Sequence, residues 1–106
     1  MTEHLIDRLY ATIDSRKGAD PEKSYVAKLH GKGLNKIAEK LGEEAVETVV
    51  AAVAKDKAET VAESADLLFH LMVLWSAKGI APSDVFDELA RREGVSGIDE
   101  KQSRKG

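Results

Sequence analysis

Residues 34–78 decide the fold, and they read LNKIAEKLGEEAVETVVAAVAKDKAETVAESADLLFHLMVLWSAK. With about 100° of rotation per residue, apolar side chains gather on one face before and after a turn at Lys55-Asp56. Asp56 with Glu59 three residues later is a capping-box pattern, which is typical of a helix start, and Gly79 suits a helix end. The stretch therefore predicts two long helices. The expected core face of the second helix is Val61, Ala65, Leu68, Met72 and Trp75.

Shorter elements flank this pair. The pattern predicts, in chain order, a first helix over Glu3–Lys17, a helical turn over Ser24–Leu29, a flexible segment over His30–Gly33 and a last helix that Ser83 caps. From Glu93 onward the sequence is polar and contains glycine, which is typical of a tail. We therefore expect an all-α fold with four to five helices in one domain over residues 1–106, with residues 93–106 as a polar tail.

Composition narrows the function classes. A chain of 106 residues buries only a modest core, so pairing with a second copy would cover more apolar surface. The absence of cysteine excludes a thiolate metal site and a cysteine nucleophile. A net charge of −3 offers no attraction for nucleic acid. The apolar run Leu67–Trp75 is too short to span a bilayer, and Met1–His4 lacks the features of a signal peptide. We expect a cytoplasmic protein.

Two acidic motifs carry the chemistry: Glu43-Glu44-Ala45-Val46-Glu47 and Glu63-Ser64-Ala65-Asp66. Helical positions three or four apart share a face, so each motif can direct two carboxylates to one point. Carboxylates crowded in this way repel one another unless a cation is bound between them. Their hard oxygen atoms are the ligands that Mg²⁺ prefers. The apolar neighbours Leu67 and Leu74 indicate that the acids of the second motif line a covered cleft.

Structural interpretations compete with this one. The first motif also fits a solvated helix face with a Lys40–Glu44 pair, and His70 fits a satisfied, partly buried histidine. A non-catalytic helical interaction module would carry the same acids as surface residues. A di-iron carboxylate bundle is disfavoured, because that site uses Glu-x-x-His and none occurs here.

Beyond the two acidic motifs, several segments resemble one family. They are Asp20–Leu29, Gly33, Lys36-Ile37, Lys40–Glu47, Glu63–Leu71 and Gly94–Arg104. Together they resemble the phosphoribosyl-ATP pyrophosphatases of histidine biosynthesis. The acidic motifs alone indicate only the wider superfamily of all-α nucleoside triphosphate pyrophosphatases, which also holds dimeric dUTPases and MazG-type enzymes. The Ser24-Tyr25 segment and the C-terminal segment narrow the match, and a housekeeping nucleotide pyrophosphatase remains the alternative.

The resemblance implies a Mg²⁺-dependent helical homodimer that hydrolyses phosphoribosyl-ATP to phosphoribosyl-AMP and pyrophosphate. It implies metal ligation by Glu44, Glu47, Glu63 and Asp66. Glu43 is the candidate for orienting or deprotonating the attacking water. Candidates for contacts with the substrate are Lys28, Lys36, Lys40 and His70, since lysine serves as a point charge toward phosphate.

Overall fold

The computed structural model describes the backbone of residues 4–105, which is helical with no strand in that range. The helices are α1 (Leu5–Arg16), α2 (Tyr25–Lys32), α3 (Leu34–Ala54), α4 (Lys57–Lys78), α5 (Pro82–Arg91) and α6 (Gly97–Lys105). The all-α class is confirmed. None of these helices combines the length and the hydropathy that crossing a membrane requires.

The two long helices form where the sequence predicts them. The Asp56 carboxylate caps α4 by accepting a hydrogen bond from the Glu59 amide at 3.0 Å. Gly79 ends α4 with φ at 70°, a left-handed conformation that glycine adopts without steric cost. Because only Lys55 and Asp56 separate the helices, α3 and α4 fold back on each other and form the most extensive helix pair of the structure.

The hydrophobic core lies at one end of this pair. It consists of Ile13, Val26, Leu29, Ile37, Met72, Val73 and Trp75. These residues join α1 and α2 to the beginning of α3 and the second half of α4. Of the predicted core face of α4, Met72 and Trp75 are buried, whereas Val61 and Leu68 are 60% and 48% exposed. The core residues of α1 and α2 cluster with Met72, Val73 and Trp75, which all follow Leu68 along α4.

Two local predictions are wrong. His30–Lys32 is not a flexible segment, because α2 continues to Lys32 and the break falls at Gly33, whose φ is 93°. Ser83 does not cap the last predicted helix, since α5 begins one residue earlier at Pro82. The Asp84 carboxylate instead accepts a hydrogen bond from the Ala81 amide at 2.9 Å. Proline is well suited to a first helical position because it has no amide hydrogen to satisfy.

The expected polar tail contains a sixth helix, so the prediction of four to five helices is one short. Glu100 on α6 has a side chain only 5% exposed, and its carboxylate pairs with Arg91 at 2.7 Å and Arg104 at 3.3 Å. Arg92 lies 3.6 Å from the same carboxylate. Ion pairs hold this helix, and hydrophobic periodicity therefore gave no sign of it. The predicted helix start at Glu3 lies outside the described residues.

Candidate metal and active site

Three carboxylates from the two acidic motifs meet between α3 and α4. One oxygen from each of Glu44, Glu63 and Asp66 lies within 4.8 Å of the others. Glu63 and Asp66 share a face because they are three residues apart on α4. Glu44 reaches them from the neighbouring helix, because the α3–α4 turn brings the two motifs side by side. We call these three residues the acidic cluster.

The hydroxyl of Thr48 links the two helices at the level of the cluster. It lies 2.8 Å from the carbonyl oxygen of Glu44 and 3.1 Å from that of Glu63, so its single hydrogen is directed at both acceptors. This contact joins the backbone turns that carry two of the three acids. Sequence reasoning missed Thr48, although its position four residues after Glu44 places it on the same face.

The acidic cluster is electrostatically unfavourable by itself. Burial raises the pKa of the Glu44 carboxyl above its usual value, and the nearby Glu47 and Asp66 carboxylates raise it further. The pKa of the Glu63 carboxyl is raised in the same way. Burial is the largest cause, and the carboxylates of Glu47, Asp66 and Glu44 add to it. Glu47 therefore lies against two members of the cluster. Four carboxylates in one place disfavour their charged forms.

Two oxygen atoms of the cluster lack the hydrogen bonds that buried polar atoms normally make. The Oε2 atoms of Glu44 and Glu63 are buried and have no hydrogen-bond partner among the described residues. A buried carboxylate oxygen without a donor is costly, and a cation would satisfy it. The potential metal ligands in the cluster are all carboxylate oxygens, with no histidine nitrogen and no cysteine sulfur among them. Glu44, Glu63 and Asp66, with Glu47 beside them, therefore fit a divalent cation such as Mg²⁺.

Glu43 and the predicted lysines lie outside the acidic cluster. The Glu43 carboxylate points to Lys40, whose Nζ is 3.3 Å away. This hydrogen-bonded pair raises the pKa of Lys40, with smaller contributions from Tyr25 and Glu44. Lys40 is thus near the cluster. Lys36 pairs with Glu39 at 3.1 Å, and Lys28 is exposed on α2.

His70 is buried one helical turn after Asp66, and both of its ring nitrogens are engaged. Nδ1 lies 2.8 Å from the Asp66 carbonyl oxygen, which can only accept a hydrogen bond. Nδ1 therefore carries the hydrogen and Nε2 accepts one from the Tyr25 hydroxyl, 3.0 Å away. This agrees with the interpretation of a satisfied histidine. Tyr25 was not singled out from the sequence as a site residue, although the Ser24-Tyr25 segment contributed to the family resemblance.

Apolar side chains border the acids, but the covered cleft that the pattern predicts is open on one side in the single chain. Val46 and Val50 line a cavity of about 210 Å³ together with Glu47 and Glu63. Val46 is itself 63% exposed, and Asp66 is also exposed. The residues that line this cavity come from α3, from α4 and from the turn between them.

Comparison with known proteins points to one family. A family model described as phosphoribosyl-ATP pyrophosphohydrolase matches residues 6–93. A relative named phosphoribosyl-ATP pyrophosphatase, from Azospirillum brasilense, is 62% identical over 101 residues, which cover 95% of this chain and 91% of the relative. Relatives of the same name from Novosphingobium aromaticivorans and Dinoroseobacter shibae are 61% and 54% identical, each over 94% of this chain and over 94% and 98% of their own length. Both acidic motifs lie inside the matched region.

We expect Glu44→Gln to stabilise the metal-free protein at neutral pH. Folding raises the pKa of the Glu44 carboxyl above its ordinary value of 4.5. Below pH 4.5 the carboxyl is protonated and its contribution to the stability of the folded state is fully present. This contribution is lost as the pH rises through the folded-state pKa, so at pH 7 the charged carboxylate opposes folding. Glutamine removes this charge. Urea unfolding in EDTA at pH 7 and pH 4 measures the effect, which should shrink at the lower pH.

Glu43→Gln is the matched control, because it makes the same change one residue earlier. It removes only a surface ion pair with Lys40, which contributes a few tenths of a kcal/mol at most. It should therefore leave stability unchanged or slightly lower. Equal stability of wild type and Glu44→Gln at pH 7 would contradict the repulsion that we assign to the cluster.

Proposed function

The chain belongs to the phosphoribosyl-ATP pyrophosphohydrolase family, and we propose that its acidic cluster is the catalytic centre for hydrolysis of phosphoribosyl-ATP to phosphoribosyl-AMP and pyrophosphate. This is the second step of histidine biosynthesis. The observation that carries the proposal is the convergence of both acidic motifs to within 4.8 Å at Glu44, Glu63 and Asp66. Without this convergence, the motifs would be ordinary helix surface.

Four carboxylates hold the metal in this proposal. Glu44, Glu63 and Asp66 are assigned from their mutual distance, and Glu47 from its effect on the pKa of both glutamates. Mg²⁺ held by these residues would supply neutralisation of the charge on the phosphate oxygens. The unpartnered Oε2 atoms of Glu44 and Glu63 support this assignment, since a cation would satisfy them.

Hydrolysis breaks the bridging phosphorus–oxygen bond between the α and β phosphates. The water oxygen bonds to one phosphorus, a water proton passes to a base, and the bridging oxygen leaves with the other phosphate group. We assign Glu43 to orienting or deprotonating this water, because it directly precedes Glu44 in the first acidic motif and is not a member of the acidic cluster. The Nζ atom of Lys40 lies 3.3 Å from the Glu43 carboxylate, so Lys40 is placed to fix the orientation of that carboxylate.

Cations and His70 complete the assignment. Lys40, Lys36 and Lys28 are proposed to contact phosphate oxygens, with Lys40 closest to the acids because Glu44 affects its pKa. His70 is proposed to support the site rather than to transfer a proton, since its nitrogens are engaged by Tyr25 and by the carbonyl oxygen of Asp66. It fixes the turn of α4 that carries Asp66.

We expect Glu47→Gln and Asp66→Asn to reduce pyrophosphate release from phosphoribosyl-ATP by about a hundredfold or more, because a lost ligand removes several kcal/mol of charge stabilisation. The assay compares Mg²⁺ with EDTA and includes ATP and dUTP as substrates. Circular dichroism should report unchanged helicity, since Glu47 and Asp66 are both exposed.

Asp87→Asn is the control for these variants, because Asp87 is an exposed acid on α5 outside the cluster. It should retain wild-type turnover. Near-normal rates in Glu47→Gln or Asp66→Asn would sink the metal assignment. Release mainly from ATP or dUTP would instead assign the chain to the housekeeping pyrophosphatases.

We also propose that the protein acts as a homodimer. A cavity of about 550 Å³ on the α3–α4 pair is lined by Val61, Ala65 and Leu68, and Leu68 also lines a second cavity of about 410 Å³ with Met72 and Trp75. The two cavities share Leu68 and are therefore adjacent, and we call them together the groove. The row Val46, Val49, Val50 and Val53 is exposed on α3, with Val53 84% accessible. Exposed apolar surface of this extent is typical of an interface, and a second copy supplies an apolar row to fill the groove.

Val61→Asp is expected to convert the dimer to a monomer without unfolding it, because Val61 is 60% exposed in the single chain. Sedimentation equilibrium measures the change. Leu89→Asp is the control, since Leu89 is similarly exposed but lies on α5 outside the groove. Wild-type protein that sediments as a monomer would refute the dimer.

The cellular location follows from the same reasoning. The sequence has no cysteine for disulfides, and the proposed substrate is a nucleotide of central metabolism. We therefore propose that the protein works in the cytoplasm.

A further inference from the structure

A separate cavity lies between α1, α2 and α4. It has a volume of about 230 Å³ and is lined by apolar residues of α1 together with Tyr25 and Phe69. Two cations, Arg16 and Lys23, also line it. The proposed catalytic residues do not line this cavity, so its contents are unassigned.

Tyr25 connects this cavity to the acids. Tyr25 lines the cavity, and its hydroxyl donates a hydrogen bond to His70 Nε2 at 3.0 Å. His70 Nδ1 lies 2.8 Å from the carbonyl oxygen of Asp66, a member of the acidic cluster. This chain of contacts joins the cavity to the turn of α4 that carries Asp66.

The charge of the cavity suits an anion. In the part of the chain that the structure describes, neither Arg16 nor Lys23 forms an ion pair with a carboxylate, whereas Lys36 and Lys40 do. The larger cavity beside Trp75 is lined by Asp7 and by no lysine or arginine. A phosphate group remote from the metal would therefore bind at Arg16 and Lys23 in preference to that second cavity.

The proposed substrate carries such a remote phosphate. Phosphoribosyl-ATP has its triphosphate at one end and a ribose 5-phosphate on the adenine at the other, and ATP lacks the second group. We propose that the cavity between α1, α2 and α4 binds the phosphoribosyl end of the substrate, with Arg16 and Lys23 contacting its phosphate. This assignment rests on the proposed function and adds the basis of selectivity over ATP.

Two aromatic side chains, Tyr25 and Phe69, line the same cavity. Their rings are 6.2 Å apart between centroids and lie within 24° of parallel. Tyr25 is 46% exposed, and its hydroxyl hydrogen-bonds to His70. An aromatic ring offers a face for stacking, so in this assignment the adenine stacks on Tyr25.

The test uses Arg16→Gln and Lys23→Gln in the full chain. Each variant should raise the KM for phosphoribosyl-ATP about tenfold with kcat little changed, because a charged hydrogen bond to the phosphate is lost in ground and transition state alike. Inhibition by ATP, which lacks the phosphoribosyl group, should stay within about twofold of wild type. Lys78→Gln, an exposed lysine at the end of α4, is the matched control and should leave both constants unchanged.

Two results would overturn the assignment. An unchanged KM in both variants would exclude a contact with the substrate, and an equal weakening of ATP inhibition would place the cations on the triphosphate instead. Both results presuppose turnover of phosphoribosyl-ATP by the wild type. A wild type that releases no pyrophosphate would refute the proposed function itself, and the phosphoribosyl assignment with it.

Discussion

Repulsion between carboxylates is the constraint on which the site depends. Folding of α3 against α4 forces Glu44, Glu63 and Asp66 to within 4.8 Å, and burial raises the pKa of both glutamates. The hydroxyl of Thr48 links the two backbone turns, so the turns that carry Glu44 and Glu63 cannot move apart without breaking that contact. The arrangement opposes folding while the acids are charged and not neutralised. In the function that we propose, a cation would neutralise these charges, so the fold would hold a site prepared for a metal–phosphate complex.

The buried core and the acidic cluster occupy different parts of α4. The second half of this helix holds the buried residues Met72, Val73 and Trp75, and α1 and α2 pack there. The part of α4 from Lys57 to Leu68 carries the acids and leaves Val61 and Leu68 exposed. The packed half tolerates the repulsion in the open half, since the unfavourable charges are not part of the core. His70 lies at the boundary and links the acids to Tyr25 on α2.

Periodicity and capping predicted the parts of the fold that rest on apolar burial and local hydrogen bonds. The ends of α3 and α4 followed from Asp56 and Gly79, and the acidic motifs identified the cluster before any geometry was known. The sixth helix escaped prediction because buried Glu100 and its arginine partners stabilise it, and such pairing between helices leaves no hydrophobic period. Tyr25 escaped for a similar reason, since its contact with His70 joins residues 45 apart in sequence. Val61 and Leu68 would be buried only by the proposed second copy of the chain. Hydrophobic periodicity does not show whether a residue is buried within its own chain or against a second copy.

The most direct measurement is the thermal unfolding midpoint at pH 7 as Mg²⁺ is added to EDTA-treated protein, for wild type and for the Glu44→Gln, Glu63→Gln double variant. A ligand that binds only the folded state raises stability in proportion to RT ln(1 + [L]/Kd). We expect the wild-type midpoint to rise with Mg²⁺ and the variant midpoint to stay nearly constant. A wild-type midpoint that does not move, or an equal rise in both proteins, would contradict a metal held by the acidic cluster and would favour a non-catalytic helical module.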